Sequence, residues 1–362
     1  MTQIITRLIF VFLIISTLSL EAQDTITSKK ALNLNIPIEL NYGKGEFRNL
    51  NLPFESNAIE NLNLEISIKK NSWNSLLEQK TVRVEVEQMQ EGKKERFEIA
   101  RFFLPWVKDE SEIQQLFVFD ISEYESLFHD SATLFVESNC KNQSLEFNFH
   151  FRWKTGNAPA VVNDIINLWR SELVLNKGKH INEEVDAKLV FVPKEVKYAQ
   201  IKIYLSGQGE LNSKPDVVSN SKFYFLNIND QVVAKRAIWR DDCGLNSNFP
   251  QEGPWAYSRR NWCPGQELRV FNHFFPLGKD TTLSIQMQLQ GLLIAEEWPV
   301  DYLLSANLIL YEEARFLNDA ALVEILAPNK NRVHNRYNPI CGSPIIRIRN
   351  SGSDTLRSLT LD

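Results

Sequence analysis

Several residue types and patterns are scarce in this 362-residue sequence, and each scarcity excludes a class of protein. Beyond the segment Leu8 to Leu20, no apolar run approaches the roughly 20 residues that span a bilayer, so no transmembrane helix is expected. The 40 Lys and Arg residues are interspersed with 45 Asp and Glu residues, giving a net charge of -5. Without a basic stripe to neutralise phosphates, nucleic acid is not an expected partner.

Histidine is also rare, and its 5 residues stand singly in the sequence: His129, His150, His180, His273 and His334. Copper-binding proteins hold their metal through several histidines, often in closely spaced pairs. No metal and no other cofactor is therefore expected.

The four cysteines, Cys140, Cys243, Cys263 and Cys341, allow at most two disulfides. Cys243 and Cys263 bracket a loop rich in Pro, Gly, Asn and Trp, and the sequence favours a bridge between them. Closing such a loop would stabilise the fold by roughly 3 kcal/mol. Cys140 and Cys341 lie far apart in the sequence, and their pairing stays open.

The N-terminus has the pattern of a secretory signal. Arg7 precedes the apolar run from Leu8 to Leu20, and Glu21-Ala22-Gln23 follows. This order predicts a signal peptide over residues 1–22, cleaved near Ala22, and a mature protein that is secreted to the periplasm, the cell surface or the medium.

Strand patterns run through the rest of the chain, with apolar residues on alternate positions. Clear examples are the sets Leu62, Leu64, Ile66 and Ile68; Val82, Val84 and Val86; Phe147, Phe149, Phe151 and Trp153; Ile201, Ile203 and Leu205; Leu283, Ile285, Met287 and Leu289. Helical periodicity is scarce apart from a turn near Ser122 to His129. The fold class is therefore predicted to be all-β.

Two breaks divide the mature chain into domains. Thr155 to Ala160 interrupts strong strand patterns, which predicts sandwiches over residues 30–155 and 160–317. The short linker predicts an extensive, mainly apolar interface between them. The remaining segment, 323–362, is interpreted as the start of an immunoglobulin-like module or a docked hairpin, with Ser351-Gly352-Ser353 as the turn.

The most specific stretch is RDDCGLNSNFPQEGPWAYSRRNWCPG, Arg240 to Gly265. It resembles the signature loop in the C-terminal domain of the peptide-N-glycosidase F family, and its matching elements are the two cysteines, Pro250-Gln251, Gly253, Trp255, Arg259 and Trp262-Cys263-Pro264-Gly265. Weaker agreement lies at Ala100-Arg101-Phe102, Phe119-Asp120-Ile121-Ser122 and Leu205-Ser206-Gly207. The resemblance implies two tandem eight-stranded antiparallel jelly rolls with a cleft between them, and hydrolysis of the amide that joins an N-linked glycan to asparagine.

The resemblance also implies catalytic carboxylates, which an amide hydrolase without a metal needs to activate water and protonate the leaving nitrogen. The principal family position corresponds to Asn74, and the second to Val217 or Val218, with Val218 taken as the degenerate position. A third family carboxylate is retained as Glu137, although a strand-end glutamate in solvent explains it equally well. The tryptophan expected two residues later is Asn139.

Acids that could substitute for the missing ones are Glu78, Glu210 and Asp216, but nothing in their spacing demands a rebuilt pair. By the same resemblance, Gln208, Arg259 and Trp262 occupy substrate-binding positions. Gln208 replaces a family tryptophan. Arg259 and Trp262 could hold a carboxylate and a sugar face, or both could support the disulfide loop.

Three functions remain open on this sequence. The first is a monomeric protein that binds glycan or glycopeptide in the cleft with weak or no catalysis. The second is an active amidase with relocated carboxylates, and the third is a structural module of a larger surface protein.

Overall fold

The computed structural model describes residues 31–41, 43–50, 52, 59–71, 79–90, 92–106, 116–129, 132–140, 145–156, 158, 160–175, 185–208, 223–246, 248, 250–278, 281–289, 300–314, 320–328, 343–350 and 355–360. Nearly all of its regular structure is β-strand. Among the residues just listed, two short 3-10 helices occur, at Ser122–Phe128 and Cys243–Leu245. In the part of the chain described, no helix is long and apolar enough to cross a membrane.

The first eight strands form one jelly roll. They are β1 (Ala31–Leu40), β2 (Lys44–Leu50), β3 (Ile59–Asn71), β4 (Thr81–Gln90), β5 (Lys93–Phe103), β6 (Leu116–Asp120), β7 (Ala132–Ser138) and β8 (Leu145–Thr155). They pair antiparallel in two sheets of order β1-β8-β3-β6 and β2-β7-β4-β5.

The next eight strands repeat this arrangement as a second jelly roll. They are β9 (Ala160–Leu175), β10 (Lys188–Phe191), β11 (Tyr198–Gln208), β12 (Phe223–Ile228), β13 (Gln231–Ala237), β14 (Phe271–Pro276), β15 (Thr282–Leu289) and β16 (Val300–Ala314). Their sheets have the orders β14-β11-β16-β9 and β10-β15-β12-β13. Counted from its own first strand, each half has the orders 1-8-3-6 and 2-7-4-5, and the predicted pair of eight-stranded jelly rolls is confirmed.

A further two-stranded sheet follows, in which β17 (Ala320–Ala327) pairs antiparallel with β18 (Ile345–Asn350). The sequence interpretation paired the Ile345 strand with residues after Ser351-Gly352-Ser353. In the structure its partner is β17 instead, and residues 355–360 form no strand. The expected turn itself lies outside the described residues.

Alternating side chains build one core in each jelly roll. In the first, Leu62, Leu64 and Ile66 of β3 face the valines of β4 and are fully buried. In the second, Ile201 and Ile203 of β11 face Ile285 of β15. The period of two predicted from the sequence therefore places these residues correctly on the inward faces.

The two jelly rolls meet face to face, and the centre of the junction is polar. Arg101 of β5 is fully buried, forms a two-pronged ion pair with Glu98, and donates to Ser206 Oγ (2.9 Å) and to the Leu303 carbonyl (2.8 Å) of the second jelly roll. Glu98 in turn accepts from Ser305 Oγ (2.5 Å). The expectation of a mainly apolar interface missed this network, because its members come from strands far apart in the chain.

Candidate functional site

Glu137, which the resemblance aligned with a family carboxylate, lies near the end of β7 and points away from the core of the first jelly roll. Val136 and Ser138 on either side are buried inward, so the pleat turns Glu137 toward the face that meets the second jelly roll. Its carboxylate is bonded to the guanidinium of Arg83 on the neighbouring strand β4 and lies 3.2 Å from Lys44 Nζ on β2. The Glu137 side chain is one-third exposed, whereas Arg83 is buried.

This cluster of charges continues across the junction. Arg170 of β9 donates from Nε and Nη2 to the two carboxylate oxygens of Glu85, at 2.7 and 3.1 Å. The same Nη2 lies 3.7 Å from Glu137 Oε2. Glu85 also pairs with Arg83 Nε at 3.3 Å. Among the described residues, Glu137 therefore contacts cations from both jelly rolls, two of which it shares with the Glu85 carboxylate.

The electrostatics follow from these neighbours. Burial by itself would raise the pKa of Glu137, but the hydrogen bond from Arg83 and the charges of Arg83 and Lys44 outweigh it and lower that pKa. At neutral pH the carboxylate is thus ionised and accepts hydrogen bonds, and it holds no proton to give to a leaving nitrogen.

Three segments come together at the end of β7, beside Glu137. Asn139, just beyond β7, accepts a bond from Thr81 N (2.9 Å) and donates to the Gln79 carbonyl (2.7 Å), which ties the end of β7 to the start of β4. Gln79 Nε2 then donates to the carbonyl of Gly207, near the end of β11, at 3.0 Å. The chain therefore brings the ends of β7 and β11 and the entry to β4 to one corner of the junction.

Gly207 has a steric reason to be glycine. A Cβ built on it would lie 2.6 Å from Arg260 Cβ and 2.9 Å from Arg260 Cδ. The Gly207 amide also donates to the Arg260 carbonyl at 2.9 Å. The close approach of these two backbones fixes the end of β11 against the disulfide loop.

The disulfide loop, residues 240–268, belongs to the second jelly roll but lies against the first. Cys243 and Cys263 are bonded, with sulfurs 2.00 Å apart, so the predicted disulfide is confirmed. Main-chain bonds join the loop to β5 and the residues after it: Gly265 N to Phe103 O (2.9 Å), Phe103 N to Gln266 O (3.0 Å) and Leu268 N to Arg101 O (2.8 Å).

Arg259 and Trp262 are both interior residues of this loop, each 1% exposed. The Arg259 guanidinium donates to the carbonyls of Trp255 (2.9 Å) and Pro254 (2.5 Å) and lies over the rings of both Trp106 and Trp262. Trp262 packs in a small core with Phe103 and Trp106. Of the two alternatives weighed for these residues, the geometry fits support of the loop.

The other predicted site positions fall outside what the structure describes. These are Asn74, Glu78, Glu210, Asp216 and Val218, together with the side chain of Gln208, whose backbone ends β11. Cys341 also lies outside the described residues, while Cys140 is buried.

Arg83, Arg170 and Gln79 were not singled out from the sequence. Arg83 could have been noticed, because it stands between two inward-facing valines of β4 and its own side chain therefore points outward. Arg170 and Gln79 gave no such signal, because their partners belong to the other jelly roll.

Comparisons with known proteins agree with this architecture. Residues 177–290 match the family model of the peptide-N-glycosidase F C-terminal domain. The fold matches recombinant peptide:N-glycanase F (PNGase F) with a TM-score of 0.66 at 16% sequence identity. It matches a PNGase F described as a glycosylasparaginase from Flavobacterium meningosepticum with a TM-score of 0.65 at 15% identity. Each match covers 78% of this chain and 96% of the other. PNGF-II gives 0.60 at 14%, over 78% of this chain and 66% of the other. The comparison with curated proteins found no match.

The fold and the matched segment together define a double jelly roll of the peptide-N-glycosidase F type. The resemblance drawn from the sequence is confirmed: residues 177–290 match the model of that family's C-terminal domain, and the fold is that of PNGase F at low sequence identity.

Proposed function

We propose that this protein is secreted and binds N-linked glycans or glycopeptides at the corner of the junction that contains Glu137, with little or no amidase activity. The observation that carries the proposal is the environment of Glu137. This carboxylate is ionised and bonded to Arg83, with Lys44 and Arg170 beside it.

Such a set of groups suits binding better than catalysis. An ionised carboxylate and guanidinium groups can accept and donate hydrogen bonds to sugar hydroxyls. A general acid would need a raised pKa, which a neighbouring carboxylate or an apolar pocket could supply, and cations do the opposite. Asparagine at position 74 and valine at position 218 leave the other family positions without an acid.

Export is the second part of the proposal. It rests on the signal-peptide pattern that ends near Ala22. N-terminal sequencing of the protein from the medium or periplasm of an expressing bacterium should give a mature chain that begins close to Gln23, and a retained Met1 would contradict export by this route.

The functional test separates binding from turnover. Calorimetry with an N-glycopeptide and with the same peptide lacking its glycan should show glycan-dependent binding. Glu137→Gln should weaken this binding about 10- to 100-fold, the range expected for loss of a charged hydrogen bond. Mass spectrometry of a denatured N-glycoprotein should show no conversion of the linked asparagine to aspartate.

A matched control is Glu65→Gln on β3, because Glu65 also pairs with an arginine, Arg152 at 3.1 Å, but on the opposite sheet of the first jelly roll. This variant should bind glycopeptide as the parent does. Robust amidase turnover that Glu137→Gln abolishes would sink the proposal and favour relocated acids at Glu78, Glu210 or Asp216. Equal binding of the two peptides would sink it as well.

A further inference from the structure

An arginine stacked on an aromatic ring lies on the same sheet face as Glu137. Phe135 and Glu137 both point outward from β7, because Leu134 and Val136 point into the core. Alternate residues of a strand are about 6.6 Å apart, so Phe135 is the neighbour of Glu137 on this face. The guanidinium carbon of Arg96 lies 3.7 Å from the centre of the Phe135 ring.

Arg96, on β5, is held in place by further contacts. Its Nε donates to Glu87 Oε2 on the neighbouring strand β4 at 3.0 Å. Its main-chain carbonyl accepts from Asn167 Nδ2 of β9, so the second jelly roll also fixes its position. A side chain that is already ordered loses little further rotamer entropy when it binds a ligand. The guanidinium of Arg96 is therefore preorganised for binding.

The outer end of this guanidinium is open to a ligand. Among the described residues, Nη1 and Nη2 of Arg96 have no hydrogen-bond partner, and the side chain is 36% exposed. The two planar N–H groups of such a fork match the two oxygens of a carboxylate. Glu87 is shared between Arg96 and Lys94, whose Nζ lies 2.9 Å from it, so these three residues keep one positive charge.

The ion pairs around Glu137 leave a charge of the same sign. Three cations there contact two carboxylates: Lys44, Arg83, Arg170, Glu85 and Glu137. Glu46, which pairs with Phe135 in the sheet register, is itself bonded to Arg48 at 2.7 Å. Charges act over about 10 Å at 0.1 M salt, so both positive groups attract an anion brought to this face.

We propose that Arg96, stacked on Phe135, forms a second subsite that binds a carboxylate of the ligand held at Glu137. This subsite rests on the proposed function, because it adds a specificity to glycopeptide binding on the same face. Two sources supply such a carboxylate: an acidic sugar of the glycan, or an Asp or Glu of the peptide beside the glycosylated asparagine. In either case the fork of Arg96 selects acidic glycopeptides over neutral ones.

Calorimetry of the full chain at low ionic strength tests the subsite with four matched ligands. These are a neutral N-glycopeptide, the same peptide with an acidic sugar in its glycan, the neutral glycopeptide with an aspartate beside the linked asparagine, and that acidic peptide without glycan. One of the two acidic glycopeptides should bind about 10- to 100-fold more tightly than the neutral one, as expected for a charged hydrogen-bonded pair. Which of them does so identifies the source of the carboxylate.

Substitutions of Arg96 test the role of its fork. Arg96→Gln should reduce the ratio of the affinities for the acidic and neutral glycopeptides to about 1. Arg96→Lys keeps the charge but lacks the planar fork, and it should lose most of the preference as well. The matched control is Arg152→Gln on β8, which also removes an exposed arginine from an ion pair with a glutamate, but on the opposite sheet. This control should keep the preference, and circular dichroism checks that all variants are folded.

The outcomes separate this subsite from the proposed function. Equal affinity of the parent for acidic and neutral glycopeptides overturns the subsite and leaves glycan binding intact. An Arg96→Gln variant that binds both ligands more weakly by the same factor also overturns it, because Arg96 would then only support the fold. Arg96-dependent binding of the acidic peptide, equally tight without its glycan, retains the subsite and contradicts glycan recognition. Failure of the parent to bind any of the four ligands overturns both proposals.

Discussion

At the scale of single residues, hydrogen bonds and ion pairs limit what Arg259 and Glu137 can do. Arg259 stands where a binding arginine was expected, but its guanidinium is committed to the main-chain carbonyls of Pro254 and Trp255. Glu137 stands where a catalytic carboxylate was expected, and its neighbours are cations. In both cases the surrounding hydrogen bonds determine what the side chain can do.

His273 gives a prediction at this scale. Burial, and then the charge of Arg236, lower its pKa from the usual 6.5 to about 4, and its Nε2 lies 2.6 Å from the Tyr224 hydroxyl. Burial raises the pKa of Tyr224, so that hydroxyl stays protonated and shares a hydrogen bond with the neutral ring. Between pH 6.5 and about 4, His273 binds a proton in the unfolded chain but stays neutral in the folded chain. The free energy of unfolding should therefore fall as the pH drops through this window, by up to about 3 kcal/mol.

Urea unfolding at several pH values measures this effect, with His273→Gln for comparison. Glutamine can still accept from Tyr224 but does not titrate, so the parent should lose stability faster than the variant across the window. Parallel curves for the two proteins would assign the acid sensitivity to other groups.

At the scale of elements, the disulfide loop has the largest structural role. It connects strands of the second jelly roll, but its main chain bonds to Arg101 and Phe103 of the first. Trp262, next to the disulfide, fills the small core between the two halves. The loop is therefore part of the junction as much as of its own domain.

Removing the disulfide should weaken the junction together with the loop. Cys243→Ser with Cys263→Ser should lower the free energy of unfolding by roughly 2 to 5 kcal/mol, the usual cost of losing a native bridge in a secreted domain. Denaturant titration followed by tryptophan fluorescence measures this loss, and Trp106 and Trp262 are two of the 8 tryptophans that contribute to the signal. A loss below about 0.5 kcal/mol, the level of an ordinary surface substitution, would mean that packing alone holds the loop.

Some of these elements could be predicted from the sequence, and others could not. Alternation in β3 and β4 predicted their inward residues, because period two depends on local geometry alone. The all-β class followed from this alternation and the disulfide from the loop that its cysteines bracket, whereas the pair of jelly rolls came from a resemblance centred on Arg240 to Gly265. The pairing of β17 with β18 was missed, since register between distant strands leaves no local pattern. Arg170 was not predicted for the same reason, because its partner Glu85 belongs to the other jelly roll.

At the scale of the whole molecule, the junction distinguishes this chain from two independent β-sandwich domains joined by a linker. The central pair Glu98–Arg101 is completely buried and bonded to Ser206, Ser305 and the Leu303 carbonyl. Buried charges are costly to leave without their partners. The two halves are therefore expected to unfold together.

Arg101→Met tests this coupling in the intact protein. The change leaves Glu98 as a buried charge without its main partner and should cost about 3 to 5 kcal/mol, and adding Glu98→Gln should recover part of that loss. In the parent, far-UV circular dichroism and tryptophan fluorescence should report one coincident transition. Two separate transitions in the parent would contradict the coupling, as would a loss under about 1 kcal/mol in Arg101→Met.

The position of the disulfide loop has a consequence for synthesis of the chain. Phe103 and Trp106 belong to the half that leaves the ribosome first, but the residues that cover them, Trp262 and Leu268, are made much later. Domains that emerge first usually fold first, and apolar surface that waits for its cover favours aggregation. The nascent first half must therefore keep an aromatic patch exposed until the second half arrives. The risk of aggregation therefore depends on how quickly elongation supplies the second half, or on whether a chaperone covers the patch until then.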